Sequence, residues 1–156
     1  MEFVLREKPE GCIFCLFPAA TGAGSDRKNL ILGRTERSFA ILNRFPYNNG
    51  HLMVIPRRHT ADFTSLTSDE LGDLHGLLKL SVELVGQAYR PEGLNLGMNL
   101  GRSAGAGIAD HLHYHVVPRW GGDTNFMPVL SQTKVMVEHL DDSYLKLRAL
   151  FDARLA

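Results

Sequence analysis

Cysteine is scarce in this chain: 156 residues carry only Cys12 and Cys15, both in one C-x-x-C. So few cysteines exclude a disulfide-stapled scaffold, and the length suffices to bury a core without staples. An excess of charge is missing as well. Lys plus Arg and Asp plus Glu are each 17, which argues against nucleic acid or an anionic membrane as partner and leaves any phosphate recognition to local groups. No apolar run reaches the roughly 18 residues that a membrane helix needs. The segment Met1 to Lys8 mixes Glu2, Arg6 and Glu7 with short apolar pieces and has no signal-peptide core. The expectation is one domain over residues 1–156, cytoplasmic, with a reduced cysteine pair available for metal or redox chemistry.

Small and polar residues from Pro18 to Asn29 predict a loop after the cysteine pair. Leu30–Gly33, Phe39–Asn43 and His51–Ile55 read as short strands in a meander, with the turn Phe45-Pro46-Tyr47-Asn48-Asn49-Gly50 before the third and Pro56 ending it. Thr67 and Glu70 form a capping-box pattern. Apolar residues then recur at helical spacing from Leu71 to Tyr89, an amphipathic helix of about six turns that stops at Pro91. Leu94–Leu100 and Leu112–Val117 read as two more strands, and Asp142–Arg154 as a C-terminal helix. Strands in a block with segregated helices predict an α+β fold, an antiparallel meander sheet of about five strands with one long helix and a C-terminal helix.

What is abundant is local. His111, His113 and His115 alternate with Leu112 and Tyr114 and lead into Val116 and Val117. On a strand, successive side chains point to opposite faces, so the three imidazoles share one face while Leu112, Tyr114 and Val116 enter a core. Imidazole is a base, an acid, a nucleophile or a metal ligand near neutral pH, so such a face is a reactive surface or a catalytic metal site.

The run His111 to Val117 resembles the histidine triad (HIT) family of nucleotide-processing proteins. Asn43, eight residues before His51 in a segment that ends at Pro56, and Asn99-Leu100-Gly101 ahead of the triad are similar to further blocks of that family, in the same order. The resemblance covers roughly residues 12 to 120. It implies a HIT-like fold, a homodimer, and catalysis in which His113 attacks an α-phosphorus to form a nucleotidyl-imidazole. His115 and His51 would then donate to phosphate oxygens or the leaving group, with His111 completing the catalytic set. It places Asn43 on ribose hydroxyls and Phe14 and Ile41 near the base, with Asn99 near the phosphates. Gly105 and Gly107 would offer backbone donors to a phosphoryl group.

Trp120 to Phe126 resembles a prokaryotic branch that includes diadenosine polyphosphate enzymes. The expected function is cleavage of a nucleoside phosphate derivative, a dinucleoside polyphosphate such as diadenosine tetraphosphate foremost. Hydrolysis is favoured, with phosphorolysis or nucleotide binding without turnover as alternatives. Residues 104–110 lack the Gln followed by Ser or Thr that many relatives carry, which leaves the acceptor open.

A redox role for the C-x-x-C wants a helix opening at the motif, whereas Phe17-Pro18-Ala19 suggests a loop. Tetrahedral zinc fits better and needs two further ligands. The resemblance to zinc-containing relatives supplies them as His59 and His111, giving a structural zinc on Cys12, Cys15, His59 and His111. His75 and His139 fall to helix surface or packing, and Arg57, Arg58 and Arg119 to surface charge that at most steers an anion.

Overall fold

The computed structural model describes residues 11–123 and 138–155. A short helix α1 (Ile13–Ala19) and a single turn α2 (Ser25–Asn29) precede three strands, β1 (Ile31–Arg34), β2 (Ser38–Leu42) and β3 (Leu52–Pro56). The long helix α3 (Ser68–Tyr89) follows, then β4 (Gly93–Met98), β5 (Tyr114–Arg119) and α4 (Leu140–Leu155). All pairings are antiparallel and the sheet order is β1-β2-β3-β5-β4. The α+β class and five strands agree with the sequence expectation, but the meander stops at β3. The last strand inserts beside β3, which leaves β4 on the outside.

Residues 18–29 are not the expected loop. The end of α1 and all of α2 lie there: Pro18 sits in the last turn of α1, where it forgoes one bond, to the Phe14 carbonyl, and Gly24 takes a positive φ to turn the chain into α2. Leu94–Leu100 and Leu112–Val117 shift to Gly93–Met98 and Tyr114–Arg119, so His111 and His113 lie on the approach to β5 and only His115 lies within it.

Helix α3 starts where the sequence says it should. The Thr67 side chain accepts from the Glu70 N–H and the Glu70 carboxylate accepts from the Thr67 N–H, which satisfies two otherwise orphaned donors. Leu74, Leu77, Leu84 and Val85 are buried along one stripe, against β2, β3 and β5. Full burial of each such side chain contributes about 1.5–3 kcal/mol. Arg58 bonds both carboxylate oxygens of Glu70 (2.7 and 3.0 Å) and the Ser65 carbonyl (2.8 Å), pinning the corner between β3 and α3 that carries His59. The Arg58 bond and the Thr67 N–H hold the Glu70 carboxyl down at about 2. Arg58 is thus a structural clamp and not the free surface charge expected. At the other end, Arg148 on α4 and Arg34 on β1 share Asp26 of α2. No helix among the described residues is long and apolar enough to cross a membrane.

The turn into β3 depends on Gly50, whose φ is +76° and whose position allows no Cβ: one would sit 2.5 Å from the Tyr89 ring of α3. Gly50→Ala is expected to cost about 2 kcal/mol or more in urea unfolding, from the positive φ and the overpacking together. Gly76→Ala, on α3 with nothing within 4 Å of its Cβ position, should instead stabilise by up to about 1 kcal/mol.

Candidate functional site

His115 on β5 pairs across the sheet with Met53 on β3 and Gly97 on β4, and Tyr114 beside it turns the other way, toward His75 of α3 (3.3 Å). The face away from α3 therefore carries His115, with the His113 ring beside it at a centroid distance of 5.0 Å. His113 is buried, with Nδ1–H donating to the His111 carbonyl at 2.8 Å. A carbonyl can only accept, so the hydrogen is on Nδ1 and the lone pair on Nε2. Burial pushes the His113 imidazole toward its neutral form, against the pull of that backbone bond.

His51, fully buried, is spoken for at both ring nitrogens. Its Nδ1 accepts from the Tyr47 N–H (3.0 Å), so its Nε2–H donates to His115 Nδ1 (3.0 Å). His115 consequently carries its remaining hydrogen on Nε2. Burial, with His113 adding to it, lowers the His115 imidazole to about 4. The Tyr47 ring lies over both partners, 4.7 Å from the His51 centroid and 6.0 Å from that of His115. The sequence reading has His51 donating to a substrate, whereas its Nε2–H here is engaged by His115.

His111 faces elsewhere. Its Nε2–H donates to the Pro56 carbonyl (2.8 Å), leaving the Nδ1 lone pair toward the thiols. Cys12 Sγ and Cys15 Sγ lie 3.3 and 3.7 Å from it, His59 Nδ1 lies 3.3 Å from it and 3.4 Å from Cys15 Sγ. The four donor atoms are all within 4.8 Å of one another. Tetrahedral zinc with bonds of about 2.0 Å to nitrogen and 2.3 Å to sulfur needs N···N near ~3.3 Å and N···S near ~3.5 Å, so the set fits the ion. Burial, with Cys12 adding to it, pushes the Cys15 thiol up, a shift that a bound dication would reverse. The C-x-x-C does open a helix after all, with Cys12 as the residue preceding α1, so the ground for dismissing a redox pair fails. The case for metal now stands on the donor set.

Two clefts flank His115. One, about 270 Å³, is mostly apolar and includes Phe14, Ile41, Gly105, Gly107, Ile108 and His113 among its walls, with Asn43 at its edge. Phe14 packs between the rings of His111 and His113, at centroid distances of 5.6 and 5.2 Å. Asn43 turns its carbonyl to the Phe45 N–H (3.0 Å) and its amide to the His51 ring (3.3 Å). The other cleft, about 380 Å³, holds Asn99 together with Tyr47, Asn48, Asn95 and Arg119. Asn99 is therefore not gathered with Asn43. Arg119 forms two bonds to Asp123 (2.6 and 2.8 Å) and one to Asn95 (2.8 Å), so it too is a clamp, and it holds the Asp123 carboxyl far below the usual range. His111 is in neither cleft. His75 lies on the exposed surface of α3, and His139 just ahead of α4. The stretch 124–126 lies outside the described residues.

Tyr47, Asn48 and Asp123 are missing from the sequence-level site. Tyr47 acts through a backbone N–H, which any residue but proline would present, and the turn composition that flagged residues 45–50 carries no trace of it.

The HIT domain family matches residues 25–122. The chain is 43% identical over 119 residues to AP-4-A phosphorylase of Mycobacterium tuberculosis (strain ATCC 25618 / H37Rv), covering 76% of this chain and 61% of that protein, so it spans about three fifths of that relative's length. It is 32% identical over 108 residues to adenosine 5'-monophosphoramidase hnt1 of Schizosaccharomyces pombe, with 69% and 74% of the two chains covered. A Zn-bound histidine triad family protein from Mycobacterium smegmatis superposes with a TM-score of 0.70 at 23% identity, over 92% of this chain and 95% of that one. The first two relatives are named as enzymes acting on nucleotide derivatives.

With His51, His113 and Tyr47 packed about His115 and the Arg119–Asp123 pair in the adjoining cleft, its ring should stay neutral across the physiological range. Nitrogen-detected NMR titration is expected to find the Nε2–H tautomer and a midpoint near 4. Because the folded value lies below the ordinary 6.5, this residue's contribution to stability is complete above about pH 6.5 and declines as pH falls toward and below 4. A midpoint near 6.5 would contradict the packing of His115 against His113 and its shielding from solvent.

Proposed function

The chain belongs to the HIT family, and from that premise we propose that it transfers a nucleotidyl group from a dinucleoside polyphosphate, through a covalent intermediate on His113. The observation that carries this reading is the 2.8 Å bond from His113 Nδ1 to the His111 carbonyl, which fixes the tautomer with its lone pair on Nε2. The nucleoside lies in the apolar cleft, base against Phe14 and Ile41, ribose near Asn43. Gly105 and Gly107, in the wall of the same cleft, stand near the phosphates.

In the first step Nε2 of His113 forms a bond to the α-phosphorus as the bond to the bridging oxygen breaks. The leaving polyphosphate takes the electron pair and accepts a hydrogen bond from His115 Nε2–H. Nδ1 keeps its proton on the His111 carbonyl, so the intermediate is a phosphorylated imidazolium, a good leaving group in its turn. An acceptor oxygen then forms the new P–O bond as the P–N bond breaks, and His113 recovers its lone pair. Orthophosphate is preferred over water as acceptor here, since the Mycobacterium tuberculosis relative is named a phosphorylase. That reverses the order favoured on the sequence alone.

The four-donor cluster is assigned to a structural zinc. Bound there, the ion would tie α1 and the end of β3 to His111, whose carbonyl orients the nucleophile. A second copy is expected to pair along the outer edge of β4, where Leu96 is half exposed, giving a homodimer.

Diadenosine tetraphosphate offered with and without orthophosphate, followed by phosphorus NMR, tests the reaction. Expected products are ADP and ATP, formed only with phosphate. AMP and ATP regardless of phosphate would make the enzyme a hydrolase. His113→Ala should lower kcat by at least about a thousandfold, and a variant as active as the parent would sink the covalent mechanism. Metal analysis should find one zinc per chain, lost in Cys12→Ser and Cys15→Ser together with thermal stability.

A further inference from the structure

We infer that the cleft beyond His115 is a second nucleoside subsite, which receives the departing half of a dinucleoside polyphosphate with its base against the Tyr47 ring. The inference rests on the nucleotidyl-transfer reading above. The two clefts share only Tyr47 and His115, so a substrate that reacts between them has one end on each side of the pair. In-line displacement sends the leaving group away from His113, and the hydrogen on His115 Nε2 marks its way out.

The chemistry of the second cleft suits a neutral ligand better than an anion. Its cation, Arg119, is bonded to both oxygens of Asp123 and to Asn95, while Asn99 contributes a whole amide, Asn95 the N–H groups of an amide whose oxygen holds Arg119, and Asn48 the oxygen of an amide whose nitrogen is bonded to the Pro118 carbonyl and Asp123. Ribose hydroxyls and base edges need such partners, whereas a phosphate wants free positive charge. Tyr47 is 57% exposed although its ring lies over His51 and His115, so much of an aromatic ring is open to stacking at the mouth of the cleft. Gly97, directly across the strand pair from His115, has no atom within 4 Å of its Cβ position, and the absence of a side chain there keeps the floor clear. The volume, about 380 Å³, falls within the range of small-ligand sites.

The test compares diadenosine tetraphosphate with adenosine 5'-tetraphosphate, which has the same phosphate chain but lacks the second nucleoside. The parent is expected to favour the dinucleotide in kcat/KM by roughly tenfold, the scale of one stacked base. Gly97→Val, which fills the second cleft, should lower kcat/KM for the dinucleotide several-fold more than for adenosine tetraphosphate and so abolish that preference. Gly97→Ala should fall between and serves in its place if the valine variant does not fold by circular dichroism. Equal kcat/KM for both substrates in the parent, or an equal loss of both in the variants, would overturn the subsite while leaving the nucleotidyl-transfer reading intact. A parent that turns over neither substrate would overturn that reading itself, and the subsite with it.

Discussion

The hydrogen bond from His113 Nδ1 to the carbonyl of His111 ties the chemistry of this molecule to its architecture. A side chain that bonds to the backbone two residues before it is held only as firmly as that backbone. Here His111 is secured at both ring nitrogens, by the Pro56 carbonyl on one side and by the cluster of Cys12, Cys15 and His59 on the other. The cysteines are nearly a hundred residues from the triad in sequence, yet they and β3 jointly determine where the His111 carbonyl points. The bond that orients His113 and the four-donor cluster thus meet in one residue.

A second chain of bonds sets the polarity of His115. It begins at the Tyr47 N–H, passes through both nitrogens of His51 and ends on His115 Nε2. Each link has a single sense because a backbone N–H can only donate. His51 is buried and His115 half-buried, which disfavours positive charge on them, and the Gly50 turn that delivers His51 is wedged against Tyr89 of α3. The helix on one face of the sheet therefore helps to place the imidazoles on the other.

Much of this was legible in the sequence because period and spacing carry it. The alternation of His111, His113 and His115 marked the imidazoles that cluster, Thr67 and Glu70 marked the start of α3, and Cys12 with Cys15 flagged half of the four-donor cluster. What stayed hidden depends on distance in sequence or on backbone groups. The swap of β4 and β5 leaves no periodic trace, the clamps made by Arg58 and Arg119 need partners that only folding supplies, and Tyr47 contributes through its amide. Residues 18–29 misled because Gly, Ser and Pro mark helix ends as readily as loops.

The one-way sense of the Tyr47–His51–His115 chain constrains which bonds this site is suited to break. A neutral His115 that surrendered its Nε2 hydrogen would draw a replacement through His51, and the Tyr47 N–H on the far nitrogen of His51 is an amide that does not give its proton up. In the proposed reaction His115 would then solvate a departing oxygen more readily than protonate it. Leaving groups that are already stable anions at neutral pH, such as polyphosphates, can depart on those terms, whereas alkoxides and amines, which need a proton as they go, are poorly served. On the proposed reaction, selectivity by leaving-group basicity would follow from the direction of a backbone N–H.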